Sequence, residues 1–489
     1  MIFVARLLGP QQYGEYTIVM VPVGIAILLM DPGVNLAITR QIARYQALGE
    51  DTARKAAQTT GYTINTLIAT VFTLAIFLLS SPISTIFLHR PDLESLVRIA
   101  SLSILGQALV NSSNAIFIGH HRMELQSAIS ILFAVTKGLT MPLLVYFGFG
   151  LGGAILGHTL SILVTGIVGT ALTLAFIKLN TGGFAYRLDI EEARRLFSFG
   201  IPIFLSTLLG GLLNQLYSSL MVIYVAIDQT GIDLVGNYSA ALNFAVLVSF
   251  ITTPLVTTLF PLFSKLDRNS PNLKHAYQNS VKYSSLVALP AALGLITVAD
   301  AITRIVYGVN YPHAAYFLGL YLLVYLSIGV GGLCTGSLLN GLGETRIVLK
   351  TSLLTFIVGA PLSLLLIPTY GIDGLIASTI IAPLPSLAYG LYWIGKNLGF
   401  SVEWRSSATI YLSSLGAIMP VLLITATIHL TPWPRLVTGG LLYLATYILL
   451  IKLTKTLNHR DYQMFRSMVG DAGLLASTLN KIIDIFEKS

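Results

Sequence analysis

The sequence predicts an all-α integral membrane protein built from two related halves, and three observations carry that prediction. The mean hydropathy is +0.78 and only 10% of residues are charged, against about 25% in a soluble domain. Apolar stretches of span length follow one another almost end to end. The first half also matches the second at an offset of 222 residues: Gly9, Gly14, Tyr16 and Pro32 fall onto Gly231, Gly236, Tyr238 and Pro254 without a gap, with Glu15/Asn237 and Thr17/Ser239 as polar pairs between them. Phe149-Gly-Leu-Gly-Gly153 and Tyr370-Gly-Ile-Asp-Gly374 match at an offset of 221. So much apolar surface cannot be buried in water, so lipid is the solvent. A duplicated membrane bundle is the usual architecture of a transporter, with the substrate path at the interface of the repeats.

A span needs about 20 mostly apolar residues. The expected spans run 14–36, 60–81, 95–118, 125–147, 152–177, 197–226, 236–263, 281–303, 315–339, 347–367, 372–395, 406–429 and 436–453. Pro22, Pro142, Pro202, Pro254, Pro290, Pro361 and Pro383 fall inside them. Each is read as a kink that improves packing or, more sharply, as a hinge, because neighbouring helices re-satisfy the freed carbonyl. Two stretches are not spans. Residues 184–196 are amphipathic and follow Gly182-Gly183, which suits a surface helix linking the halves. Residues 456–489 form a mixed-charge tail with Leu474, Leu475, Leu479, Ile482, Ile483 and Phe486 at helical spacing, which suits a helix lying on the membrane.

Orientation follows from the Lys/Arg bias. With the 37–59 loop in the cytoplasm, strict alternation puts most of the 29 Lys and Arg on that side. The opposite side keeps Arg6, Arg90, Arg98, Arg304 and Arg435, and Lys137 lies within a span. The tail then falls in the cytoplasm. The repeat also predicts a missing element: a first-half partner of the span at 197–226 would lie upstream of Met1. Restoring it gives six spans per repeat plus a terminal pair, with the pseudo-two-fold along the membrane normal. About 20–35 further apolar residues upstream of Met1 are therefore expected. The expected domains are an N-terminal lobe over 1–180 with its first helix truncated, an amphipathic linker over 181–196, a C-terminal lobe over 197–396, a helix pair over 397–455 and the tail.

At this point the motifs resemble a known family. Ala5-Arg-Leu-Leu-Gly-Pro-Gln-Gln-Tyr-Gly-Glu-Tyr16 followed by Asp31-Pro-Gly33 resembles the opening of prokaryotic polysaccharide transporters, the O-antigen flippase family. Leu188-Asp-Ile-Glu-Glu-Ala-Arg-Arg-Leu-Phe-Ser-Phe-Gly-Ile-Pro202 resembles the start of that family's second half, and Val235-Gly-Asn-Tyr-Ser-Ala-Ala241 its motif after the seventh helix. The likeness covers essentially the whole chain. It implies the fold of the multidrug, oligosaccharidyl-lipid and polysaccharide exporters: two six-helix lobes in a pseudo-two-fold V plus a terminal helix pair. It implies export of a polyprenyl-linked glycan by alternating access in the cytoplasmic membrane, with membrane lipids and glycan-assembly proteins as partners and no cofactor. Many relatives carry an acid midway along the seventh helix; here Asn214-Gln-Leu-Tyr217 puts Tyr217 near that position, which leaves any coupling through that acid without its residue.

The sharpest candidate residue is Lys137. A lysine at mid-span costs roughly 2.5–3.5 kcal/mol on insertion scales, so it should face a watery cavity or a partner, and an anionic pyrophosphate cargo needs such a cation. The rival reading is a lysine packed against backbone carbonyls. Asn214, Gln215 and Tyr217 in the seventh helix, and Asn111 and Asn114 in the fourth, are amides and a ring of the kind that recognise sugars; interhelical hydrogen bonding, worth about 0.6 kcal/mol on average, is the bland alternative. Asp31 and Arg40 lie toward the cytoplasmic end of their span and suit a head group, although Asp-Pro-Gly also suits a helix distortion. Tyr16 and Tyr238 read as interfacial anchors, His158 as a satisfied packing residue, and Asp300 with Arg304 as a local i, i+4 pair.

Other function classes fit less well. The net charge of +8 sits in short loops between spans, which argues against nucleic acid. One cysteine, Cys334, excludes a disulfide framework and a cysteine metal site. Met1-Ile-Phe-Val-Ala lacks the basic leader of a signal peptide. Motifs for nucleotide, zinc-protease or serine-hydrolase chemistry are absent from the sequence, and the external loops are short, which disfavours a membrane glycan polymerase or ligase. A drug/cation antiporter and a flippase for a lipid-linked peptidoglycan precursor, both of the same superfamily, remain as alternatives.

Overall fold

The computed structural model describes residues 1–181, 189–268, 270–428, 431–457 and 461. Among these residues there are helices and no strands. The first half runs α1 (Ile2–Leu29), α2 (Val34–Leu48), α3 (Asp51–Leu78), α4 (Glu94–Gly119), α5 (Met123–Leu144) and α6 (Gly150–Thr181). The second runs α7 (Ile190–Tyr224), α8 (Gln229–Ser264), α9 (Pro271–Thr297), α10 (Ala299–Tyr307), α11 (Ala314–Leu322), α12 (Gly332–Gly341), α13 (Thr345–Ile381) and α14 (Pro383–Leu398). The last helices are α15 (Trp404–Gly416), α16 (Ile418–Thr427) and α17 (Pro432–Leu453). Nine stretches of the described residues are long and apolar enough to cross a membrane, and a bent pair makes a tenth. The chain is an all-α, multi-span membrane protein.

Several elements differ in detail from the sequence reading. Helix α1 breaks at Gly9 (φ 75°, ψ 172°), just before Pro10. Residues from Ile190 onward do not form a separate surface helix but run on to Tyr224 as one helix, through the expected span at 197–226, started by Asp189, whose carboxylate accepts from the N–H groups of Glu191 and Glu192. The expected span at 315–339 is broken: α11 passes into a 3₁₀ segment, Leu323–Val330, and α12 restarts after Gly331 at an angle of 53°. The tail beyond Asp461 lies outside the described residues, as does the 182–188 part of the expected linker.

The duplication is visible in backbone geometry. Gly150 and Gly371, equivalent in the repeat, adopt φ/ψ of 51°/−135° and 59°/−128°, a region that glycine alone occupies readily. Each turns its chain from one span into the next. Three residues on, a Cβ on Gly153 would meet the carbonyl of Leu144, and one on Gly374 the carbonyl of Leu366. The carbonyl each would meet lies nine residues back in the first copy and eight in the second.

The packing falls into two compact units. The first comprises Met1–Asn243, Tyr307–His313 and Ser352–Pro383. Its core joins Val34, Ile38 and Ile42 of α2 to Tyr62, Ile116, Ile177 and Leu196. Within this unit the two matching motifs of the repeat meet face to face. A Cβ on Gly14 would lie 2.2 Å from the Ile232 carbonyl oxygen, and one on Gly236 1.9 Å from that of Pro10. Thr17 donates to Ser239 at 3.0 Å. This seam between α1 and α8 is tied to the following loops in both halves. Arg90 Nη2 bonds Glu15 at 2.6 Å, and the His313 N–H donates to Asn237 Oδ1 at 3.0 Å. The second unit comprises Phe244–Val306, Ala314–Thr351 and the described residues from Leu384 onward. One of its cores surrounds Phe263, Tyr277, Cys334 and Ile394. There Asp461 is held by the buried Lys282 ammonium at 2.6 Å and by the Tyr283 hydroxyl at 2.6 Å. The expected Asp300–Arg304 pair forms at 2.7 Å, and Arg435 adds a second guanidinium to the same carboxylate at 2.6 Å.

Candidate functional site

Lys137 projects from an apolar stretch of α5. Its Nζ lies 5.4 Å from the ring centroid of Phe133, one turn earlier, and it makes no ion pair or hydrogen bond with any described residue. A ring face contributes about 0.5–2 kcal/mol to a cation, too little to offset the cost of a mid-span lysine. Phe133 meets His158 edge-on at 6.5 Å, and His158 Nδ1 is 3.2 Å from the Tyr16 hydroxyl. Tyr16 stacks on Tyr13 at 6.0 Å. Asn243 Nδ2 donates to the Tyr13 hydroxyl at 3.0 Å and to that of Tyr307 at 3.3 Å. Lys137 thus stands at one end of a row of rings and hydroxyls that runs into the α1–α8 seam. Tyr16 and Tyr238 are buried, so they are not the lipid-facing anchors expected of them; Tyr16 packs on Tyr13 and His158 instead.

Asp31 belongs to a polar chain crossing three helices. The Asn35 N–H and Nδ2 donate to its two oxygens at 3.3 and 2.7 Å. Asn65 Nδ2 donates to Asn35 Oδ1 at 2.7 Å and to Ser112 Oγ at 3.2 Å. Gln107 donates to Asn111 Oδ1 at 2.8 Å along the same helix. The side-chain oxygens of Asn65 and Asn114 are buried without a partner, each at a cost of about 1–3 kcal/mol unless something supplies a donor. On α7, Asn214 is exposed. Gln215 packs on Gly24, where a Cβ would lie 3.0 Å from its Nε2. Tyr217 is buried, with its hydroxyl 3.4 Å from the Ser378 carbonyl of α13.

Arg40 lines a pocket of about 740 Å³ between α2 and the start of α7, together with Gln41, Arg44, Tyr45, Arg194 and Arg195; Glu50, Glu191, Ser198 and Phe199 complete the wall. The motif glycines Gly33 and Gly200 press together beside it, a Cβ on Gly33 falling 2.2 Å from the Gly200 oxygen. Arg40 lies 4.0 Å over the Phe199 ring. Arg195 is spent on Glu191 at 2.6 Å and Glu192 at 3.4 Å. Tyr45 donates to Glu192 at 3.1 Å. Burial raises the Glu192 carboxyl above its ordinary range, against the opposing pull of Tyr45 and Arg195.

A family described as "Polysaccharide biosynthesis protein" matches residues 3–316. The chain belongs to this family. It is 25% identical over 386 residues to the lipopolysaccharide biosynthesis protein WzxC of Escherichia coli K12, across 78% of this chain and 72% of that one. It is 21% identical to the probable low-salt glycan biosynthesis flippase Agl15 of Haloferax volcanii, across 84% and 83%. In structure it resembles lipid II flippase MurJ in an inward closed conformation, with a TM-score of 0.74 and 15% identity over 92% of this chain and 95% of that one; that likeness speaks to the fold. The family match contains Lys137, the Asp31 chain and the whole arginine pocket. Of the pocket only Arg40 stood out in the sequence. Arg44, Arg194 and Gln41 did not, although Arg40 and Arg44 at i, i+4 on one helix face are a usable signal.

Proposed function

We propose that this family member is a flippase that moves a lipid-linked oligosaccharide or polysaccharide precursor across the cytoplasmic membrane by alternating access. Its role is transport rather than catalysis. The observation that carries the reading is Lys137: an intramembrane ammonium with no anion among the described residues suits a cargo that brings its own phosphate. The names of WzxC and Agl15, lipopolysaccharide biosynthesis and glycan biosynthesis, favour a polyprenyl-linked glycan as that cargo. In this reading residues 1–180 and 197–396 form the two lobes, 397–455 the terminal pair, and the tail is cytoplasmic. Lys137 meets the phosphate, while Asp31, Arg40, Asn111, Asn114, Asn214, Gln215 and Tyr217 belong to the path or to the helix contacts that shape it. The outer seam of α1 and α8 must part for the cargo to leave.

The test is surface glycan in cells lacking the native gene and expressing each variant at matched membrane levels. Lys137→Ala should abolish export while inserting normally. Lys137→Arg should retain part of it, since the charge persists with altered shape and hydration. Normal export by Lys137→Ala would remove the lysine from the mechanism. Unchanged surface glycan in the gene deletion itself would remove the flippase reading.

A further inference from the structure

The pocket between α2 and α7 has more positive charge than its own carboxylates use. Of its four guanidiniums only Arg195 is paired with a carboxylate among the described residues. Arg40, Arg44 and Arg194 make no ion pair or hydrogen bond with any described residue. Of the lining carboxylates, Glu191 is already spent on Arg195, which leaves Glu50 against three unspent cations. Arg40 is stacked on Phe199, which fixes its plane and leaves its N–H edge free for a planar or tetrahedral oxyanion. Gln41 is only 6% exposed, lines the same pocket, and has a side-chain oxygen with no partner. It can accept from a protonated oxygen or, turned about its last torsion, donate to an ionised one. The N-terminus of α7 is already capped by Asp189, so an anion here is held by side chains and not by the helix end.

We propose that this pocket binds a phosphate-bearing anion at the membrane surface, held by Arg40, Arg44 and Arg194 and steadied by Gln41. The volume of about 740 Å³ exceeds a single phosphate and suits a diphosphate or a lipid head group. Basic pockets between the ends of membrane helices are where phosphorylated head groups dock. The anion is either the diphosphate of a polyprenyl-linked cargo, the phosphodiester of a bilayer lipid, or free pyrophosphate. Only the first of these sources rests on the flippase reading; the site itself does not.

Binding is measured on the full chain in neutral detergent by native mass spectrometry, with three probes: a long-chain prenyl diphosphate, phosphatidylglycerol, and inorganic pyrophosphate as a soluble competitor. The wild type should retain at least one probe, and Arg40→Gln with Arg44→Gln should weaken that retention at least tenfold. These exposed positions leave folding intact, which a melting curve checks. Arg346→Gln with Lys350→Gln, on another basic segment, controls for general loss of charge and should bind as wild type. Prenyl diphosphate retained over phosphatidylglycerol assigns the site to cargo; equal retention assigns it to bilayer lipid; retention of pyrophosphate alone assigns it to a soluble anion. Unchanged binding in the arginine pair, an equal fall in the control pair, or no retention of any probe overturns the proposal. Transport is not part of the readout, so failure of export and failure of this site remain separate results.

Discussion

Gly14→Ala is a small change with a calculable effect on the α1–α8 seam. Its new Cβ would lie 2.2 Å from the Ile232 carbonyl oxygen, whereas ordinary contact begins at 3.4 Å. The obstacle is backbone, so α8 must retreat by about 1.2 Å or the helix must distort. Overpacking of this kind costs about 1–3 kcal/mol. The same retreat stretches the Thr17–Ser239 bond, now 3.0 Å, beyond hydrogen-bond reach, at a further ~0.5–1.5 kcal/mol. Together that is roughly 2–4 kcal/mol in favour of states in which the seam is apart. Two measurements read it. Thermal denaturation in detergent should show a lower midpoint for Gly14→Ala, and Gly236→Ala should behave alike. Oxidative cross-linking of Thr17→Cys with Ser239→Cys, over a background whose one native cysteine is buried, should be rapid with Gly14 present and slowed severalfold once Gly14→Ala is added. A Gly14→Ala protein with wild-type melting and wild-type cross-linking would refute the reasoning, because it would mean the two helices do not touch where their glycines coincide.

Two further expectations follow from other parts of the molecule. Lys282→Ala leaves the buried Asp461 carboxylate without its ammonium, although the Tyr283 hydroxyl still reaches it, and the cost should be about 3–5 kcal/mol; Lys282→Met combined with Asp461→Leu should melt much closer to wild type. His120, in the connection after α4, has its pKa pushed down to about 4 by burial, with Arg54 and Arg122 adding to the effect. The unfolded chain, near 6.5, therefore takes up the proton first, and stability is full above about pH 6.5 and lost as pH falls toward 4. The ring is partly exposed, so the loss should be about 1–2 kcal/mol rather than the full shift; melting at pH 7 and pH 5 should separate wild type from His120→Gln, whose midpoint should change less.

The duplication was legible because it is written in glycines. Gly14 and Gly236 are required by contact, and Gly150 and Gly371 by backbone angle, so neither pair can drift without changing the chain's path. Most of the apolar helices were legible from length, although the helix over 197–226 is not among the nine or ten described stretches apolar enough to span, and the Asp300–Arg304 pair was legible from its i, i+4 spacing. Hydropathy cannot see a bend, however, and the run around Gly329, Gly331 and Gly332 reads as an unbroken span although it holds the 53° break. Arg435 on Asp300 was invisible because 135 residues separate them. The arginine pocket was hidden for the same reason: Arg40 and Arg44 come from one half and Arg194 from the start of the next, and each alone reads as a basic residue at a span end. Tyr16 and Tyr238 misled because a tyrosine near the end of a span looks the same whether it meets lipid or another helix.

The two ties beside the α1–α8 seam, Glu15 to Arg90 and Asn237 to His313, are made in different ways. In the first half both partners are side chains, and Arg90 also pairs with Asp92 at 2.7 Å, so replacing Arg90 leaves the buried Glu15 carboxylate without that cation, whereas replacing Glu15 leaves Arg90 still paired. In the second half the donor is the main chain of residue 313, which every amino acid except proline supplies. This contact therefore asks nothing of the side chain at 313, while position 237 must keep an acceptor. The equivalent motif positions 15 and 237 thus hold their neighbouring loops by unlike means, one through a side-chain ion pair and the other by accepting from the main chain.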